Sequence, residues 1–389
     1  MPVRNRFAEM MPDLLAWRRD FHENPELLFD VHRTAGIVAE NLRGFGCDEV
    51  VEGIGRTGVV GVIHGRTRAS GRSIGLRADM DALPIAEATG APYASRVPGM
   101  MHACGHDGHT TMVLGAARYL AETRNFDGTV VVIFQPAEEG GGGGREMVED
   151  GLMKRFGIDE VYGMHNVPGR AAGTFAIRPG AFYAAADEFK LRITGKSGHA
   201  ATPHETTDAV VIAAQVIMGL QALRAREFDP VKSMVISVTT MQASSNAHNV
   251  ISDAVTLGGT VRTMDEAVRD AVERRMAEVA TGIAGSFGGA AELDYMRGYP
   301  VMVNAETETA YAAAAARAVT GECADAPIYM WGEDFGFMLN ECPGAYIHLG
   351  VGDVAPLHTP GYDFNDEVLP QGCSWFVEVA EQRLPLKSG

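Results

Sequence analysis

The chain has 389 residues, 46% of them apolar, enough for two or three domains with ordinary cores. A formal charge of −17 and a pI near 5.1 argue against nucleic acid or an anionic membrane as partner, since most of the surface would repel either, and leave a small molecule as the expected ligand. No apolar run approaches the ~18 residues of a membrane span, the opening MPVRNRFAEMMPDLLAW lacks the apolar core of a signal peptide, and the five scattered cysteines form no CxxC pair, so a cytoplasmic protein without a disulfide framework is expected.

Helical periodicity runs through residues 7–20 and 32–44, strands are predicted at 58–64 and 73–79, and a helix at 108–124. TVVVIFQ at 129–135 is apolar without alternation, which suits a central strand covered on both faces, and VYGMHN at 161–166 reads similarly. Between 187 and 297 the order becomes βαββαβ, the ferredoxin-like split unit. Its second helix spaces Val268, Val272, Met276, Val279 and Ile283 at threes and fours, opposite Asp270, Glu273, Arg274 and Glu278. After 300 the first pattern returns, with a helix at ETETAYAAAAARAV, a strand at AYIHLGV and a last helix near 370–383. The expected fold is α/β: a larger helix-flanked mixed sheet, residues 1–185 and 298–389, with a smaller α+β domain, residues 186–297, inserted into it.

Polar clusters stand at the ends of the apolar strands, where α/β proteins hold ligands. IGLRADMDALP ends in Asp79 and Asp81, TVVVIFQPAEE in Glu138 and Glu139, and VYGMHN in His165 and Asn166, while MHACGHD precedes a helix. Each taken singly has an ordinary structural reading as a helix cap, a loop charge or a hydrogen-bonded histidine. The pair Cys104 and His106 in one tight turn is an uncommon way to satisfy two such side chains, and on spacing alone ligation and packing both stay open. The neighbouring carboxylates Glu138 and Glu139 favour metal-assisted hydrolysis, which needs a ligand and a separate proton carrier. The GGGGG run at 140–144 lacks GK[ST] and does not open a GxGxxG turn, so it is read as a loop whose backbone passes close to the site.

RRDFHENPEL, GLRADMDALPI, MHACGHDGHT, FQPAEEGGGG, MHNVPG, GKSGHAATPH, HNVISD, GEDFGFM and PLHTPGYDFND occur in this order over nearly the whole chain. Together they resemble the M20 metallopeptidase family, in particular its amidohydrolase subfamily of hippurate hydrolases, N-acyl-amino-acid deacylases and auxin-conjugate hydrolases. The resemblance implies a catalytic domain with two divalent ions, zinc or manganese first and cobalt or nickel as further options, and a lid domain through which the chain forms a homodimer or higher homo-oligomer. It implies Cys104, His106, Glu139, His165 and His358 as metal ligands, Glu138 as the group that activates a water bridging the metals, His199 as the residue reaching the reacting carbonyl from its own or a partner subunit, and Asp81 as a carboxylate orienting the base or a ligand. Asn249 is a candidate substrate contact. Arg262 is a candidate partner for a substrate carboxylate, with a surface ion pair as its ordinary reading. Asp79 stands where other branches place a metal-binding histidine. The sequence departs from the common pattern at Asn24, Ser197 and Ser252, the last bearing on the loop that carries Asn249. His102 and His109 are read as supporting or packing residues, and Asp107 as a support or helix cap. The implied reaction is hydrolysis of an N-acyl or N-aroyl amino acid to a carboxylic acid and a free amino acid; a dipeptidase and a non-catalytic metal or small-molecule binding protein are the alternatives.

Overall fold

The apolar runs meet in one large sheet. The computed structural model describes residues 3–386. The strands that build its two main sheets are β1 (Glu49–Ile54), β2 (Gly58–His64), β3 (Ser73–Asp79), β4 (Thr129–Gln135), β5 (Glu160–Val167), β6 (Phe175–Ile177), β7 (Ala185–Thr194), β8 (Met234–Ala243), β9 (Ala254–Thr263), β10 (Ala290–Tyr299), β11 (Ala324–Asp325) and β12 (Gly344–Gly350). The chain divides into a smaller unit of Ala181–Met302 and Ile328–Glu333 and a larger unit formed by the rest of the described residues.

The larger unit holds the strand order β1-β2-β4-β3-β5-β12-β6-β11. The central strands β4, β3, β5 and β12 run parallel to one another, with antiparallel β2 and β6 flanking them, so their carboxyl ends collect at one edge. The central strands are buried almost throughout, as runs of Val and Ile require when helices cover both faces. Helices α1 (Val3–Glu23) and α2 (His106–Thr123) pack together with the C-terminal helix Leu369–Arg383 around a core that includes Phe7, Leu14, Met112, Leu120 and Trp375.

The smaller unit orders its antiparallel strands β8-β9-β7-β10, the ferredoxin-like arrangement expected of βαββαβ. Along β7, Asp187, Phe189, Leu191 and Ile193 are buried while Glu188, Lys190 and Arg192 face solvent, so one face carries the core. Helices α3 (Ala209–Arg226) and α4 (Glu266–Ser286) cover it; Asp208 and Asp265 cap their first turns by accepting from the main-chain N–H groups of Val210 and Val211, and of Ala267 and Val268. α3 is 18 residues long with mean hydropathy 1.3, a length and apolarity a membrane span also has. Its apolar stripe Ile212, Ala213, Val216, Leu220 and Leu223 is instead part of the unit's core. Ile328–Glu333, which the sequence pattern leaves with the larger domain, is held in the smaller unit by main-chain bonds from Ala184 N–H to Trp331 O (2.9 Å) and from Tyr329 N–H to Phe182 O (3.1 Å).

Candidate metal centre

The carboxyl edge of β3, β4 and β5 delivers Asp79 and Asp81, Glu138 and Glu139, and His165; the turn before α2 adds Cys104, the first residue of α2 adds His106, and a loop after β12 adds His358. Their donor atoms form overlapping groups: Cys104 with His106 and His165, Cys104 with Glu139 and His358, and His106 with Glu138 and Glu139, the atoms of each group lying within 4.8 Å of one another. Cys104 Sγ is 3.4 Å from His165 Nε2, and His358 Nε2 is 3.2 Å from Glu139 Oε1.

The histidines differ in what their ring nitrogens have left to give. His106 Nδ1 donates to the carbonyl of Asp81 at 2.8 Å, and His165 Nδ1 to that of Asn166 at 2.7 Å, so in each ring Nε2 is the nitrogen left to ligate, and it faces the cluster. His106 Nε2 is buried and has no hydrogen-bond partner among the described residues. A cation would satisfy it. His109 is different: Nε2 accepts from Asn166 N–H at 3.1 Å, and Nδ1 donates to Asp79 at 2.6 Å, so both nitrogens are spent. Although Asp79, His106 and His109 also lie within 4.8 Å, this leaves His109 no lone pair for a metal. His102 is buried without a hydrogen-bond partner among the described residues, and burial lowers its pKa to about 3.

Asp81 braces the carboxylate pair. It is buried, and its two oxygens accept from the main-chain N–H groups of Glu138 (2.9 Å) and Glu139 (3.1 Å). Ala137, just before them, has a left-handed φ of 55°, and His358 one of 60°, conformations that non-glycine residues hold only where the surroundings impose them. The glycine run packs on this same loop: a Cβ on Gly143 would lie 1.7 Å from Pro136 O, and one on Gly144 would lie 2.8 Å from Asp334 O. Asp334 in turn accepts from Gly144 N–H (2.8 Å), Gln135 (2.7 Å) and Arg77 (2.9 Å), a role for the GEDFG motif that the sequence alone does not reveal.

Gly105 separates Cys104 from His106 at φ +92°, and a Cβ there would stand 2.3 Å from Asn166 Oδ1 and 2.9 Å from the Tyr362 hydroxyl. Gly105→Ala is therefore expected to destabilise the fold by at least about 2 kcal/mol and to weaken metal uptake, because Asn166 adjoins His165; urea unfolding and metal titration of the variant check both.

The protein groups alone make a site that calls for positive charge. Burial, with the charges of Glu139 and Glu138, pushes the Cys104 thiol far above its ordinary range. Burial would lower the His106 pKa, but Asp79, Asp81 and Glu139 outweigh it and raise it to about 10. Burial opposes ionisation of Asp79 as well, yet His106, Arg77 and His109 hold its carboxyl well below the usual range. One sulfur, several imidazole nitrogens and a carboxylate suit borderline divalent ions such as zinc, so the residues present fit the implied metals.

The other predicted residues lie in the smaller unit. His199 is exposed on a short strand paired with Val250–Ile251, and its Nδ1 accepts from Ala201 N–H at 3.0 Å. Asn249, next to that strand, accepts through its carbonyl from Ala200 N–H at 3.0 Å. Ser252 is buried, and its hydroxyl contacts both Ser245 N and Ser245 O at 3.3 Å, closing the 245–252 loop where the common pattern has proline. Arg262 lies half-buried on β9, donates to Thr260 Oγ1 and Val261 O, and makes no ion pair among the described residues.

Comparison with known proteins matches residues 75–382 to the family "Peptidase family M20/M25/M40". A hippurate hydrolase of Campylobacter jejuni is 40% identical over 367 residues, covering 93% of this chain and 94% of that protein. Thermostable carboxypeptidase 2 of Saccharolobus solfataricus is 38% identical over 380 residues, 95% of each chain. Among solved structures, a dinuclear metal binding peptidase of the M20 family from Bacillus subtilis superposes with a TM-score of 0.86 at 35% identity, over 97% of this chain and 99% of that one.

Proposed function

The chain belongs to peptidase family M20/M25/M40, and we propose that it is a metal-dependent amidohydrolase cleaving N-acyl or N-aroyl amino acids to a carboxylic acid and a free amino acid. The observation that carries this reading is a second carboxylate, Glu138, beside the candidate ligand Glu139, with Asp81 holding the main chain of both. A site built only to bind metal has no need of it.

In this reading Cys104, His106, Glu139, His165 and His358 hold two divalent ions, zinc or manganese first. Such ions, when bound, polarise the scissile carbonyl and lower the pKa of water. Glu138 takes a proton from the attacking water and passes it to the leaving amine. Asp81 keeps Glu138 and Glu139 in place through their main-chain N–H groups. His199, of its own or a partner subunit, donates to the carbonyl oxygen as negative charge develops there, where a fixed donor counts most. Asn249 contacts the substrate from beside the strand pair that carries His199, and Arg262 takes the substrate carboxylate.

The half-buried guanidinium of Arg262, without an ion pair among the described residues, supports that last role. Arg262→Ala is expected to raise KM for benzoylglycine about tenfold to a hundredfold, and to leave hydrolysis of benzoylglycine amide nearly unchanged. Steady-state kinetics on the two substrates check it; equal effects on both would remove the carboxylate contact.

The smaller unit is read as a lid that also joins subunits in a homodimer. Exposed Val211 (46%) and Met218 (67%) on α3, with Met241 (47%) on the edge strand β8, support an apolar contact there. The carboxypeptidase relative favours a second reading, peptide cleavage. A metal-reconstituted screen of acetyl, benzoyl and indoleacetyl amino acids beside glycine-containing dipeptides separates the two: faster turnover of dipeptides would replace the amidohydrolase reading with the peptidase one.

A further inference from the structure

We infer that Arg18 is a positioning residue for the metal centre, tying the segment that carries Cys104 and His106 to the segment that carries His358. The inference rests on the ligand assignment proposed above and concerns how those ligands are held.

Arg18 lies on α1, far in sequence from every candidate ligand, and its side chain is fully buried. A buried guanidinium is costly unless carboxylates surround it. Here Nε lies 3.2 Å from Asp107 Oδ2 and 3.3 Å from Asp366 Oδ1, and Nη2 pairs with Asp363. Asp107 directly follows His106 and accepts from Gly108 N–H at 2.9 Å, at the first turn of α2. Asp363 lies in the same loop as His358, and Asp366 opens the 3-10 turn Asp366–Val368 that ends it. One guanidinium therefore spans both ligand-bearing segments.

The surroundings reinforce the same junction. His22, one turn further along α1, reaches Asp107 at 2.7 Å; Arg19 reaches Asp366 at 3.0 Å; and the Tyr93 hydroxyl donates to Asp363 at 2.7 Å. Asn166, next to His165, donates to the Tyr362 hydroxyl at 2.7 Å within the same loop. His358 needs such support most. Its φ of 60° is left-handed, and its N–H bonds to Ala103 O at 2.8 Å, so its ring stays beside Glu139 only while the loop stays docked against the turn before α2. His165 lies within β5 and His106 opens α2, so both stand on regular elements with their own main-chain bonds, whereas His358 stands on a loop.

The ion bound through Cys104, Glu139 and His358 should thus depend on Arg18, and the ion bound through Cys104, His106 and His165 should not. Arg18→Lys keeps the charge and loses the fork; Asp363→Asn breaks one arm at a side chain that is 32% exposed, which keeps the test available if the first variant does not fold. Cobalt(II) titration followed by absorption, with thermal melting of the chelator-treated protein, reads the result. The expected outcome is one ion held at wild-type affinity and the second weakened about tenfold to a hundredfold in each folded variant. Two ions at wild-type affinity in the folded variants, or both ions weakened alike with a matching loss of metal-free stability, would overturn the positioning role. Wild-type protein binding fewer than two ions would instead refute the ligand assignment, before any variant is made.

Discussion

Glu138→Gln is expected to bind as many divalent ions per chain as the wild-type protein, two under the proposed assignment, and to hydrolyse its best N-acyl amino acid about 10²- to 10⁴-fold more slowly, the range that a lost general acid–base group accounts for. The separation of the two effects follows from geometry. Asp81 holds this stretch through the main-chain N–H of residues 138 and 139, and glutamine at 138 leaves both of those bonds intact. Glu139 and its contact with His358 should therefore stay where they are, while the group able to carry a proton is gone. The check is kcat of the reconstituted variant alongside its metal content. Near-normal turnover would remove Glu138 from the role, and loss of metal together with activity would make it a ligand.

Chelation should abolish turnover and readdition of zinc, manganese or cobalt should restore it, with a metal affinity that climbs steeply with pH. The sign follows from the two proposed ligands whose protons the protein holds tightly. The Cys104 thiol is held far above its ordinary range, chiefly by burial, and His106, despite burial, is held up to about 10 by Asp79, Asp81 and Glu139. Between pH 6 and 8 both protons are present in the metal-free chain and both must leave as the ions enter. Each proton displaced tightens binding about tenfold per pH unit. Calorimetric titration in two buffers of different ionisation enthalpy counts those protons directly. Binding that is flat over this range would mean that Cys104 and His106 do not both ligate.

The fold was legible because its signals are local. TVVVIFQ carries five apolar residues in a row, Val130 to Phe134, and became a buried central strand, and the threes and fours of Val272 and Met276 became the buried face of α4. The polar ends of β3, β4 and β5 were legible for the same reason, since parallel neighbours place their ends at one edge. What the pattern did not reveal depends on distant partners. Arg18 and Asp363 are 345 positions apart, and RRDFHENPEL reads as a motif without a duty until they meet. Ile328–Glu333 sits in the smaller unit because of main-chain bonds to residues 182 and 184, which no periodicity reports. His109 reads in the sequence as a supporting or packing residue, and the physical reason is again a distant one, its bonds to Asp79 and to Asn166 N–H.

The place of β12 sets the order in which this protein can mature. It runs between β5 and β6 in the middle of the large sheet, yet the ribosome releases it only after the whole inserted unit. During synthesis the smaller unit has its four strands and two helices in hand while the larger sheet still lacks an interior strand and His358. Closing that sheet joins segments nearly two hundred residues apart, β5 at Glu160–Val167 and β12 at Gly344–Gly350, a slow, non-local step. Nascent chains thus pass through a long interval with an unfilled sheet, in which chaperone protection and metal supply both bear on yield, and the centre becomes competent only after β12 and the loop that carries His358 have been made.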